Sequence, residues 1–187
     1  GEILTMEMFL GEKSALEETI VRTLIQKHLK ITTAESCTGG LLAGRLLDIA
    51  GASEVYEEGY ITYSDASKAK LLGVEKETLE KYSAVSEKTA EEMVRGAAKA
   101  ANADAALATT GIAGPGGGTK KKPVGLIYVS AYLKGDVLVK ECRFHGTRAQ
   151  NRALAVTEAL RLMEIMLDKK EEKKGETKHA DSTNKRN

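Results

Sequence analysis

Apolar positions along the chain recur with two periods. Leu16, Ile20 and Leu24 are spaced for one helical face, with Glu17, Glu18, Lys27 and Lys30 elsewhere, so the pattern predicts an amphipathic helix over 14–29. Ser14 and Glu17 fit a capping box at its start. The β-prone run Ile31-Thr32-Thr33 leads into Ala34-Glu35-Ser36-Cys37-Thr38-Gly39-Gly40, and 41–49 reads as a second helix stopped by Gly51. A strand is expected over 55–63, then a short helix capped by Asp65 and ended by Gly73, a further turn or two over 75–81, and a strong helix over 86–101. The small apolar residues of 103–110 suit a buried central strand. Two alternating runs, 126–133 and 137–144, flank Lys134-Gly135-Asp136 as a hairpin, and Thr147 opens a last long helix.

Helices and strands alternate, but the last two strands form a hairpin. The expected architecture is therefore a three-layer α/β/α domain with a mixed, mostly parallel sheet of about five strands. A chain of 187 residues accommodates one such domain, placed at 14–168. Residues 1–13 read as an N-terminal extension or linker, and opening on Gly1 rather than Met fits a processed chain or a piece of something longer. The tail 169–187 is almost wholly polar and is expected to be disordered.

Composition narrows the function classes. With 28 Lys plus Arg against 27 Asp plus Glu, the net charge of +1 gives no general reason to expect nucleic-acid binding. Cys37 and Cys142 lie too far apart to read as a disulfide framework or a zinc site, and His28, His145 and His179 are scattered, so no metal is expected. No apolar run approaches a membrane span and no signal peptide is evident, which makes the cytoplasm the default.

Ser36 stands at a strand-to-helix turn, where Thr38-Gly39-Gly40 could offer backbone N–H groups to an oxyanion; from spacing alone the commoner use of such a serine is a helix cap. No Ser-His-Asp set accompanies it, and a lysine could serve as base. Tyr63 and Lys68 end the next strand and begin the next helix, and strand ends at one sheet edge converge on a ligand crevice. Their spacing is one residue too long for a Tyr-x-x-x-Lys dehydrogenase pair. The run from Gly111 to Gly118 lacks the Gly-Lys-Ser/Thr order of a P-loop and reads either as backbone held close to a ligand or as a surface loop. Arg148 and Arg152 share a face at the start of the last helix, as an anion site or as exposed basic residues, and Cys37 reads as packing rather than as a nucleophile.

Taken together, Ala34 to Gly40, Tyr63-Ser64 with Lys68, Gly111-Ile112-Ala113-Gly114-Pro115, Gly117-Gly118 with Lys122-Pro123-Val124-Gly125, and Phe144 with Gly146 and Arg148 resemble the CinA C-terminal domain family, the nicotinamide-nucleotide amidases. The resemblance implies hydrolysis of the carboxamide of nicotinamide mononucleotide to nicotinate mononucleotide and ammonia, in pyridine nucleotide salvage. It implies Ser36 as nucleophile, Lys68 as base and Tyr63 assisting, with Thr38, Gly39, Gly40, Thr110, Gly111 and Arg148 binding substrate. No cofactor is implied, and a homo-oligomer is. Thr147 stands where the family often has Asp, and Thr110 where it often has Ser. A non-catalytic competence- or DNA-damage-associated interaction module, or a nucleotide sensor using the glycine loop and Arg148, is the alternative.

Overall fold

A computed structural model describes residues 6–183 of the chain, with side chains from 16 to 174. Helix α1 (Met6–Gln26) precedes strand β1 (Ile31–Glu35), α2 (Leu41–Leu47), a 3-10 turn (Ala52–Glu54) and β2 (Tyr60–Ile61). Then follow α3 (Asp65–Leu72), α4 (Lys76–Tyr82), α5 (Glu87–Ala100), β3 (Ala105–Gly111), β4 (Leu126–Leu133), β5 (Asp136–Arg143) and α6 (Arg148–Thr183). The strands are ordered β2-β1-β3-β4-β5. β1 runs parallel to β2 and β3, whereas β4 is antiparallel to β3 and β5. Only β4 is therefore reversed, and the sheet is mixed and mostly parallel, as expected.

Side chains alternate across the sheet, which makes two cores. Ile31, Leu107, Ile127 and Val129 face α1, α2 and α6, meeting Ile20, Leu24, Leu42, Leu46, Leu160 and Met163. Ala34, Ala106 and Ala108 face the other way, toward Met93, Val94 and Ala97 of α5 and Leu72 of α3. Each large aliphatic side chain so buried contributes about 1.5–3 kcal/mol. The second core is built of small residues, so its layers lie close. A Cβ on Gly96 of α5 would fall 1.8 Å from the Leu72 carbonyl oxygen, so only glycine lets α5 seat against the end of α3.

The carboxyl ends of β1, β2 and β3 open on one edge and deliver Ser36, Thr62 and Gly111 there. At the opposite edge Lys134 and Gly135 close the β4–β5 hairpin with left-handed φ of 47° and 95°.

Several boundaries differ from expectation. α1 already starts at Met6, running through Ser14, so no cap forms there; residues 1–5 lie outside the described part. β2 shrinks to two residues plus a single bridge between Ile31 and Tyr56. Between them lies Gly59, where a Cβ would strike the Tyr56 hydroxyl that bonds Thr33. Ser64, not Asp65, is the N-cap of α3, in a capping box with Ser67. α6 runs on to Thr183, through most of the tail expected to be disordered, while 184–187 lie outside the described residues. Glu and Lys are strong helix formers, and Lys27–Glu171 and Lys170–Asp136 ion pairs hold the added turns to the domain. Among the described residues no helix is long and apolar enough to cross a membrane.

Candidate active site

β1 ends at Glu35, and the turn 36–40 must then redirect the chain into α2. Gly39 and Gly40 take φ of 57° and 104°, a reversal that L side chains resist. The turn hangs on β3: the Ser36 N–H donates to the Thr109 carbonyl at 3.0 Å. Ser36 itself is 7% exposed.

α3 brings Lys68 to this turn. Its side chain is 1% exposed, and its Nζ donates to Ser36 Oγ at 3.0 Å and to the Thr62 carbonyl at 2.8 Å. Burial holds the Lys68 amine below the ordinary lysine range, against the opposing pull of Asp65 and Cys37. The pair spans 32 residues of sequence, and neither partner is a His or a carboxylate. An ammonium would bring three protons to these two acceptors; a neutral amine gives one to Thr62 and can accept from the serine.

Arg148 reaches the same edge, beside Tyr63. Its Nη1 donates to the Gly114 carbonyl at 2.8 Å and its Nη2 to the Tyr63 hydroxyl at 3.3 Å. Thr147 and Gln150 form a reciprocal capping box that fixes the start of α6 and hence this arginine. Arg152 is used otherwise: it donates to the carbonyls of Cys37 and Thr38 at 2.9 and 3.0 Å and braces the turn from behind. The two arginines therefore do not form one anion site.

Other expected site residues are also placed differently. Tyr63 is 65% exposed and meets Arg148, while the partner holding the Lys68 amine is the main-chain carbonyl of Thr62. Thr38 is fully buried, its hydroxyl engaged with Glu35 and Thr109 and its carbonyl with Arg152, so its side chain serves the turn. The Thr110 hydroxyl donates to the Ala84 carbonyl at 2.7 Å and holds the loop before α5. Gly111 passes so close to β4 that a Cβ would lie 2.5 Å from Ile127 Cα, which explains the glycine without a ligand. Lys122 fixes the glycine-rich loop, donating to Ser83 and to the carbonyls of Tyr82 and Val85.

Cys37 is buried, and burial pushes its thiol up to about 12, so it is packing and no nucleophile. Among the described residues no three His, Cys, Asp or Glu side chains converge as a metal site would require. Among the same residues the N–H groups of Cys37 and Thr38 donate to no main-chain or side-chain acceptor of another residue. The edge thus brings together the Ser36 hydroxyl, the buried Lys68 amine, two main-chain N–H groups without a protein acceptor and Arg148.

Glu35 and Thr62 escaped the sequence reading. Thr62 acts through a carbonyl, which every residue has. Glu35 stood inside the motif with nothing in its spacing to mark it.

Comparison with known proteins bears on the family and the fold. The family model of the CinA C-terminal domain matches residues 13–167. A competence-damage inducible protein of Clostridium botulinum (strain ATCC 19397 / Type A) is 50% identical over 159 residues, covering 85% of this chain and 39% of its own length. One from Clostridium novyi (strain NT) is 50% identical over 157 residues, covering 84% and 38%. The chain thus spans about two-fifths of these relatives. Among solved structures, competence/damage inducible protein CihA from Agrobacterium tumefaciens superposes with a TM-score of 0.80 at 43% identity, over 83% of this chain and 95% of its own. A CinA superfamily protein from Escherichia coli gives 0.78 at 36%, over 89% and 94%.

Proposed function

We propose that this chain, which belongs to the CinA C-terminal domain family, is an amidohydrolase acting through Ser36 and Lys68. The observation that carries the reading is the Lys68 amine, buried and 3.0 Å from the Ser36 hydroxyl. Burying a lysine without a carboxylate partner is costly, and a module that only binds has no need of it. A nucleophile has such a need: its alcohol must lose a proton near neutral pH.

The Ser36 Oγ attacks the carboxamide carbon while the neutral Lys68 amine takes the hydroxyl proton. Negative charge gathers on the amide oxygen, and the N–H groups of Cys37 and Thr38 are the donors at hand to receive it. The Lys68 ammonium returns its proton to the departing nitrogen, ammonia leaves, and an ester remains on Ser36. Water then attacks that ester, with Lys68 again as base, to give the acid.

The family resemblance supplies the substrate, nicotinamide mononucleotide. Arg148, at the crevice mouth beside Tyr63, suits its phosphate, and on binding the guanidinium would exchange the Tyr63 contact for the anion. Self-association belongs to the same proposal, with exposed Leu41, Leu47 and Ile61 as apolar surface for a second copy to cover.

The experiment is ammonia release from nicotinamide mononucleotide by the wild type and Ser36→Ala. The wild type is expected to turn over, and the variant to lose at least about 1,000-fold in kcat with an unchanged circular dichroism spectrum. Full activity in Ser36→Ala removes the mechanism.

A further inference from the structure

We propose that Glu35 is a positioning residue for the Ser36 nucleophile, an inference that rests on the amidase reading. A serine just ahead of a helix has a simpler use than catalysis, because its oxygen can accept the first free helical N–H groups. Here those groups are already taken. Glu35 is 1% exposed and accepts the Leu42 N–H on Oε1 at 2.8 Å and the Ala43 N–H on Oε2 at 3.1 Å. The N-cap position of α2 is Gly40, which has no side chain to compete. The carboxylate therefore caps the helix in place of the serine, and Ser36 Oγ is left to Lys68.

The same carboxylate sets the direction of a hydrogen-bond chain beneath the turn. Glu35 Oε1 also accepts from Thr38 Oγ1 at 2.6 Å. Thr38 has one hydroxyl proton, so in its 2.7 Å contact with Thr109 Oγ1 the donor is Thr109. Thr109 in turn has spent its proton on Thr38. The order is Thr109 to Thr38 to Glu35. It draws the Glu35 and Thr38 side chains inward onto β3 and leaves the main-chain N–H groups of Cys37 and Thr38 without a protein acceptor. Without the acceptor at its end the chain loses its direction, and the α2 N–H groups become free to capture Ser36.

Glu35→Gln tests this, because it keeps the shape but turns one carboxylate oxygen into a donor that must face donors. The readouts are ammonia release from nicotinamide mononucleotide and labelling of Ser36 by a fluorophosphonate, followed to completion to count competent sites. The expected result is kcat per labelled site lowered about 100-fold with KM within about threefold. A glutamate that merely stabilises the fold would lower Tm and leave kcat per labelled site within about twofold; that result overturns the proposal. If Glu35→Gln does not fold, Thr38→Val breaks the chain while leaving the helix cap. It should lower kcat about tenfold at constant KM, and kcat within about twofold of wild type overturns the proposal. If the wild type is labelled at Ser36 but releases no ammonia, the amidase reading fails alone. The labelling rate then decides: about tenfold slower in the variant supports the role of Glu35, and equal rates overturn it. Wild-type protein that neither labels nor turns over overturns both.

Discussion

Lys68 Nζ lies 3.0 Å from Ser36 Oγ, at the end of a lysine side chain that the fold leaves 1% exposed. Because burial lowers the pKa of this amine, it is neutral over a wider pH range than an ordinary lysine. An amine that must accept a proton works only above its folded pKa. The value of kcat/KM should therefore rise with pH through that lowered pKa and level off above it. Lys68→Ala should lose about 10²–10⁴-fold, and Lys68→Arg, always charged, should not recover the loss. A flat profile in the wild type with an active arginine variant would exclude lysine as the base.

The same burial has a stability signature of definite sign. Unfolded, Lys68 titrates near its model value of 10.5; folded, it titrates lower. Between the two values the unfolded chain binds the extra proton, so this residue makes stability rise with pH across that window. Lys68→Met removes the contribution. Urea midpoints measured from neutral pH toward 10.5 should climb less steeply in the variant than in the wild type, and an equal or steeper climb would contradict a lowered folded pKa.

Arg148 supplies a third expectation. Its guanidinium reaches the site mouth through the Gly114 carbonyl and the Tyr63 hydroxyl. If it receives the phosphate, Arg148→Ala should raise KM for nicotinamide mononucleotide about 10–100-fold, the worth of a charged hydrogen bond. KM for the riboside, which lacks the phosphate, should hardly change. Equal effects on both substrates would assign Arg148 to loop support alone.

Gly96 provides a test remote from the chemistry. Alanine is the better helix former by about 1 kcal/mol, yet its Cβ would sit 1.8 Å from the Leu72 carbonyl. Forcing packed backbones apart costs about 1–3 kcal/mol, so Gly96→Ala should lower Tm despite the propensity gain. Because α3 carries Lys68, kcat should fall as well, about tenfold for a small displacement of the base. A variant as stable as the wild type would show that the two helices can separate freely.

What was legible in the sequence follows from what kind of atom does each task. The layer order and the mixed sheet were visible because burial imposes periods of 3.6 and 2 on side chains. Ser36 and Lys68 were visible because their motif order is distinctive. Tyr63 was read as a catalytic neighbour from strand-end convergence, which places a residue at an edge without fixing which way its ring turns. Thr110 kept a hydroxyl that suggested binding, but Ala84 claims it. The α6 extension was missed because a solvated helix and a disordered tail share the same Lys- and Glu-rich composition.

The Lys134-Gly135 hairpin lies beyond Leu133, which pairs with Ala105 at the beginning of β3. Ser36 follows Glu35, which pairs with Thr109 near the end of that strand. A strand of this length holds the two points about 20 Å apart. The molecule thus has a working end and a handle. A dye, a surface linker or a fused domain attached at Lys134 would stand at the end of β3 away from Ser36, so protein immobilised there should keep the Ser36 edge as accessible as it is in solution.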